Sequence, residues 1–198
     1  MRAVLTSLAL AAALAPPAPA QQATKLSTII TGFLADSGAK TAGLPWITGN
    51  ALPVKWKTAK PVPATEQYLK NQGYTLQRSG LAQVKVGSQP ASTTSIDVHG
   101  TDTGIQQVVV GFANDVGFEG SGPFEKALES DGITLTPLKC SKDKEGASYG
   151  NLVYAMKAPG KLASALWESW NCGQEGCGFS MTIVYRKSDL AQVECSTG

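Results

Sequence analysis

Apolar positions follow two rhythms along the chain. Between residues 25 and 37, Leu26, Ile29, Ile30, Phe33 and Leu34 recur at three- and four-residue steps, which predicts a helix stopped by Gly38. Alternation takes over later. Ala82, Val84 and Val86 sit on one face, then Ile96 and Val98 within residues 94–99. Residues 100–104 supply a turn into 105–112, where Val108, Val109 and Val110 in a row predict burial on both faces. Leu152, Tyr154 and Met156, then Phe179, Met181, Ile183 and Tyr185, alternate in the same way, and a last short strand is expected over 190–195. Between these strands, Leu162, Leu166, Trp167 and Trp170 predict a helix over 161–171. Residues 41–64 carry Pro45, Pro53, Pro61 and Pro63 around Trp46 and Trp56, which predicts extended chain draped over a core, with an edge strand near 54–57.

Residues 66–76 and 125–135 align at a constant offset, sharing Glu66/Glu125, Leu69/Leu128, Gly73/Gly132, Thr75/Thr134 and Leu76/Leu135. Each copy reads as a short helix, a Gly cap and a strand, which predicts a duplication. The expected fold is α+β, two tandem helix-then-antiparallel-strands repeats braced by disulfides. Its organisation would be a signal peptide over 1–20, an N-terminal helix and Pro-rich extended segment over 21–63, a first repeat over 64–122 and a second over 123–198.

The signal peptide is expected from Arg2, the apolar run 3–15 and the small residues of Ala18-Pro19-Ala20. The run is too short for a stable bilayer span, so no integral membrane segment is expected after cleavage, and the mature chain would be periplasmic or secreted. In such a compartment four cysteines read as two disulfides. The favoured pairing is Cys172–Cys177, around Gly173-Gln174-Glu175-Gly176, together with Cys140–Cys195. Zinc is the competing reading, and the Cys172-x4-Cys177 spacing is loose for it.

The net charge of +2 demands neither nucleic acid nor a membrane surface as partner. Residues 40–85 nevertheless hold seven basic groups against Glu66, and residues 97–131 seven acidic groups against Lys126. The two halves either neutralise each other or present opposed patches.

Catalytic chemistry finds little support. No nucleophile elbow of the Gly-x-Ser-x-Gly kind, phosphate-cradling loop, EF-hand or dinucleotide fingerprint is expected. Ser37-Gly38-Ala39-Lys40 has Ser-x-x-Lys spacing, but its Ser falls at a helix end rather than a helix start. His99 is the only imidazole, and Ser95, Asp97 and His99 share one strand face, where their side chains stand parallel instead of converging. Asn114, Asp115, Glu119 and Ser121 offer oxygens in a Gly-rich loop, without the spacing of a calcium cage. No metal, cofactor or catalytic residue is assigned.

Binding chemistry is better represented. Trp167 and Trp170 put aromatic area on the expected helix, and Gly173, Gln174, Glu175 and Gly176 form the tied loop after it; a ring closed by a disulfide loses little entropy on docking. Cys172-Gly173-Gln174-Glu175-Gly176-Cys177-Gly178, followed by the strand from Phe179, resembles the disulfide loop and strand of periplasmic inhibitors of vertebrate lysozyme. That resemblance implies a protruding inhibitory loop; the family's loop His is replaced here by Gln174 and Glu175. The expected function is an exported, non-enzymatic protein that binds an envelope or extracellular protein, as an inhibitor or accessory factor. The alternatives are a secreted hydrolase using Asp97, Asp115 and Glu119, or a small-ligand carrier lined by Trp46, Trp56 or Tyr74.

Overall fold

The computed structural model describes residues 22–36, 46, 49, 52–112, 122–140, 149–159, 164–173, 176–185 and 190–195. The leader expected over 1–20 lies outside them, as do Asp115, Glu119, Gln174 and Glu175. In chain order the elements are β1 (Thr24–Lys25), α1 (Leu26–Asp36), β2 (Lys55–Trp56), β3 (Lys60–Pro61), α2 (Gln67–Asn71), β4 (Leu76–Lys85), β5 (Ser92–Thr101), β6 (Gly104–Phe112), α3 (Gly122–Ser130), β7 (Thr134–Lys139), β8 (Tyr149–Lys157), β9 (Ser164–Gly173) and β10 (Gly176–Val184).

These strands form one mixed sheet in the order β1-β4-β5-β6-β10-β9-β8-β7, with β2 and β3 also paired to β4. Strand accounts for 52% of the described residues and helix for 19%, so the protein is mostly β and the expected α+β tandem repeat is overturned. The physical reason lies at the centre of the sheet. β6 and β10 pair over six residues, from Phe112↔Phe179 to Gln107↔Val184, and this ladder fuses the two meanders into one sheet. The aligned segments also pack differently: Leu128 of α3 enters the main core, whereas Leu69 of the five-residue α2 joins a separate cluster with Val62 and Tyr74. What they share is local. Gly73 and Gly132 both adopt positive φ (80° and 81°), and each helix end closes with the same paired bonds, Tyr74 N–H to Leu69 O and Ile133 N–H to Leu128 O among them.

One face of the sheet carries the main core. Ala82, Val84, Ile96, Val98, Val108, Val110, Met181, Ile183 and Leu166 pack there against Leu26, Ile29, Ile30 and Phe33 of α1 and Phe124 and Leu128 of α3. The Pro-punctuated segment lies over the β4 end of this face. Arg78 pins it by donating to the carbonyls of Trp46 (3.1 Å), Gly49 (2.6 Å) and Lys57 (2.7 Å), with its guanidinium 5.0 Å from the Trp56 ring. The opposite face is covered in two places. Leu190 and Val193 lie on Val153, Ala165 and Val184, and the α2 cluster lies over the other end. Residues 190–195, expected as a strand, form a turn and extended chain. They are held by Lys139, which donates to the carbonyls of Val193 and Ala191, by Asn151 donating to Glu194 O (3.0 Å), and by the Cys140–Cys195 disulfide.

Over its described residues, the helix expected at 161–171 is strand β9, which pairs with β8 through Tyr149↔Asn171 to Met156↔Ser164 and with β10 through Gly173↔Gly176 to Ala165↔Val184. A strand buried on both faces is apolar at both parities, so Leu166, Trp167 and Trp170 reproduce helical spacing by coincidence. The ladders on either side decide the outcome.

Candidate functional site

The β9–β10 hairpin closes on a cystine. Among the described residues, the ladder between β8 and β9 reaches Tyr149↔Asn171, and that between β6 and β10 reaches Phe112↔Phe179. The hairpin itself continues through Cys172↔Cys177 to Gly173↔Gly176. Cys172 and Cys177 stand directly opposite each other, Cα atoms 3.9 Å apart, and are joined by a disulfide. Below the clamp, Phe179 stacks on Phe124 at 4.0 Å, and Phe112 meets Phe124 edge-on at 4.8 Å. The end of the hairpin is therefore fixed by a covalent bond above and an aromatic cluster below. Tyr149, paired with Asn171 at its base, is 51% exposed.

The two tryptophans do not form one surface. Residues 167 and 170 lie on opposite faces of a strand. Trp167 packs on the Val153, Ala165 and Val184 cluster and donates its indole N–H to Asn151 Oδ1 (2.8 Å), while Trp170 packs against the main core. Both are half-buried. Gly173 and Gly176 form the last described pair of the hairpin, flanking Gln174 and Glu175.

A second group of interest surrounds His99 on the opposite sheet face. The ring is buried, stacks on Tyr74 (6.2 Å between centroids, 11° between planes), and is hydrogen-bonded by the Gln107 side chain. Its Nδ1 is buried without a hydrogen-bond partner. Burial lowers its pKa below the ordinary value of 6.5, against opposing pulls from Gln107, Asp97 and Glu66. Ser95 Oγ donates to Gly111 O (3.3 Å), His99 Nδ1 has no partner, and Asp97 reaches the imidazole through its charge. Ser95, Asp97 and His99 are a row, not a triad.

A third group was hidden from sequence reasoning. Glu168 is fully buried on β9, between Leu166 and Trp170 on the core face. Nearby, Tyr154 Oη donates to Glu125 Oε1 (2.6 Å). Burial first, then this bond, then the charges of Glu168, Glu125 and Glu129 push the phenol far above the ordinary tyrosine range. A phenol held protonated in this way is neither base nor nucleophile near neutral pH. The available signal was a glutamate at the parity of core positions, and it is lost when the segment is read as a helix.

The remaining candidates are dispersed. Trp46 is buried edge-on against Phe33 (6.5 Å) and Trp56 (6.2 Å), whereas Tyr74 belongs to the His99 end, so the three do not line one cavity. Gly146-Ala147-Ser148-Tyr149-Gly150 does spell Gly-x-Ser-x-Gly, contrary to expectation. A nucleophile elbow needs its Ser on a strand-to-helix turn; here Ser148 lies outside the described residues and the next residue opens strand β8. Ser37 and Lys40, Asn114 and Ser121 also lie outside the described residues.

Among the described residues, no group of three or more His, Cys, Asp or Glu side chains is placed to hold a metal ion, and no helix is long and apolar enough to cross a membrane. The two disulfides are consistent with an oxidising environment. No family model, curated sequence or solved structure matches the chain.

Proposed function

We propose that the protein is exported to the periplasm or the cell exterior and binds another protein there through the clamped end of the β9–β10 hairpin, without catalysing a reaction. The observation that carries this reading is the Cys172–Cys177 clamp across the end of the β9–β10 hairpin, with the stacked Phe179 and Phe124 beneath it. A pre-stiffened hairpin end gives up little conformational entropy when it enters a cleft, which favours binding by insertion. Exposed Tyr149 at the base adds aromatic area of the kind enriched at binding hot spots. Export is supported by the two disulfides and by the leader-like residues 1–20.

The test uses the mature chain as bait in an envelope extract, followed by a binding isotherm with the purified captured protein. The Gln174→Ala/Glu175→Ala and Cys172→Ser/Cys177→Ser variants should each weaken binding at least about tenfold, a loss of about 1.4 kcal/mol. Leu81→Ser, on an exposed position of β4, should leave it unchanged. Equal binding by wild type and both hairpin variants refutes this site.

A further inference from the structure

The α2 cluster is a small lid with its own core. Val62, Leu69 and Tyr74 are buried together, Tyr68 packs on them, and none of the four belongs to the main core. Few backbone bonds tie this lid to the sheet: Val62 N–H donates to Thr75 O (3.0 Å) and Thr75 N–H to Gly100 O (2.8 Å). Where it meets the sheet, Tyr74 lies flat on His99.

His99 is matched to this cover only while neutral. Gln107 satisfies one side of the ring, and Nδ1 is sealed away from water without an acceptor. A second ring proton would create a buried donor on a cation with nothing to receive it, an arrangement that costs far more than a lost neutral hydrogen bond. Asp97, two residues away on β5, and Glu66, just ahead of α2, attract the cation; Gln77, opposite on β4, and Gln107 on β6 carry no charge, and the lid presents the Tyr74 ring. Burial outweighs the two carboxylates, so the closed lid favours the uncharged ring. Lifting the lid admits water to Nδ1 and relieves that cost, and a satellite cluster opens at a smaller free energy than the ten-stranded sheet.

We propose that residues 62–74 form a proton-operated lid, which lifts from the sheet when His99 is protonated and exposes the Tyr74, Leu69 and Val62 surface. The sign follows from linkage. The open state has the ordinary histidine affinity for protons and the closed state a lower one, so closure is fully favoured above pH 6.5 and weakens as the pH falls below it. This inference does not depend on the hairpin reading, because His99 and Gly100 lie at the far end of the ladders from Cys172 and Cys177.

Hydrogen exchange on the mature protein, corrected for intrinsic rates and compared between about pH 7.5 and about pH 5, reads the lid directly. Amides of Val62, Tyr74 and Thr75 should lose protection by about tenfold per pH unit once the ring titrates, while β6 and β10 keep theirs. Because the chain has one His, its imidazole resonance gives the titration without assignment; it should titrate below 6.5 and follow the same curve as the lid amides. His99→Gln should abolish the pH dependence. Protection of the lid that stays constant with pH, a ring that titrates at or above 6.5, or an equal loss in the His99→Gln variant each overturns the proposal. If that variant does not fold, the agreement or disagreement of the two wild-type curves decides.

Discussion

Ser27 Oγ donates to Asp131 Oδ2 at 2.6 Å across 104 residues of sequence, tying the start of α1 to the end of α3. The Ser27 bond is the main reason that the Asp131 carboxyl is held below its ordinary value of 3.8; partial burial opposes it, and Lys25, 3.2 Å away, reinforces it. Hydrogen bonds to charged groups contribute about 1.5–3 kcal/mol, and water around this partly exposed carboxylate reduces that, so Ser27→Ala should cost about 1 kcal/mol at neutral pH. A depressed carboxyl contributes stability above its unfolded value and loses it as the pH falls through the folded one. Urea midpoints of wild type and variant should therefore differ at neutral pH and converge well below pH 3.8.

The two disulfides should differ in weight. Cys140–Cys195 closes a separation of 55 residues and Cys172–Cys177 one of 5. Chain-entropy arithmetic gives about 4 kcal/mol for the first and about 2 kcal/mol for the second. Double Ser variants of each pair, compared by urea unfolding, should rank in that order. Loss of the first should also release Leu190 and Val193, visible as faster exchange at the Val193 amide, which bonds to Leu190 O.

Gly80 marks the closest approach of the Pro-rich segment to the sheet. A Cβ there would overlap the Val54 side chain and come within 2.9 Å of the Trp56 ring and 3.1 Å of the Lys55 carbonyl. Gly80→Ala should displace β2 and cost about 1–3 kcal/mol. Thermal unfolding checks the cost, and near-ultraviolet circular dichroism should report the disturbed Trp46–Trp56 contact.

Tyr154 should make the protein sensitive to alkali. Its phenol resists ionisation in the fold but ionises near pH 10 once unfolded, so the unfolded chain releases a proton that the native one keeps. Stability therefore falls as the pH rises past about 10. Tyr154→Phe should flatten that decline, as measured by urea unfolding on either side of this pH.

Sequence patterning located strands well where one face is core and the other polar. Ile96 and Val98, or Met181 and Ile183, alternate cleanly because the opposite parity carries Ser, Asp and Thr. It failed at β9, where Ala165 and Trp167 pack with Leu190 and Val193 while Leu166 and Trp170 join the main core, so both parities are apolar. Likewise, Leu69/Leu128 and Gly73/Gly132 share the grammar of a helix end, which is a local instruction. Whether two meanders stay apart or fuse depends on the β6–β10 ladder, and no periodicity within either strand encodes its partner. Of the candidate site, the cysteines and flanking glycines were legible from spacing. The His99–Tyr74 stack was not, because it joins residues from different elements.

The borders of the sheet have a consequence for life at high concentration. On one side, the ten-residue β4 shares its outer rim among β1, β2 and β3, each contributing two residues. On the other, β7 carries Pro137, which lacks an amide hydrogen, and an irregular register between Pro137 and Lys139. Among the described residues, neither border offers the unbroken run of amides and carbonyls that a second molecule needs to extend the ladder. The wide sheet is thus discouraged from growing into filaments by the make-up of its outermost strands.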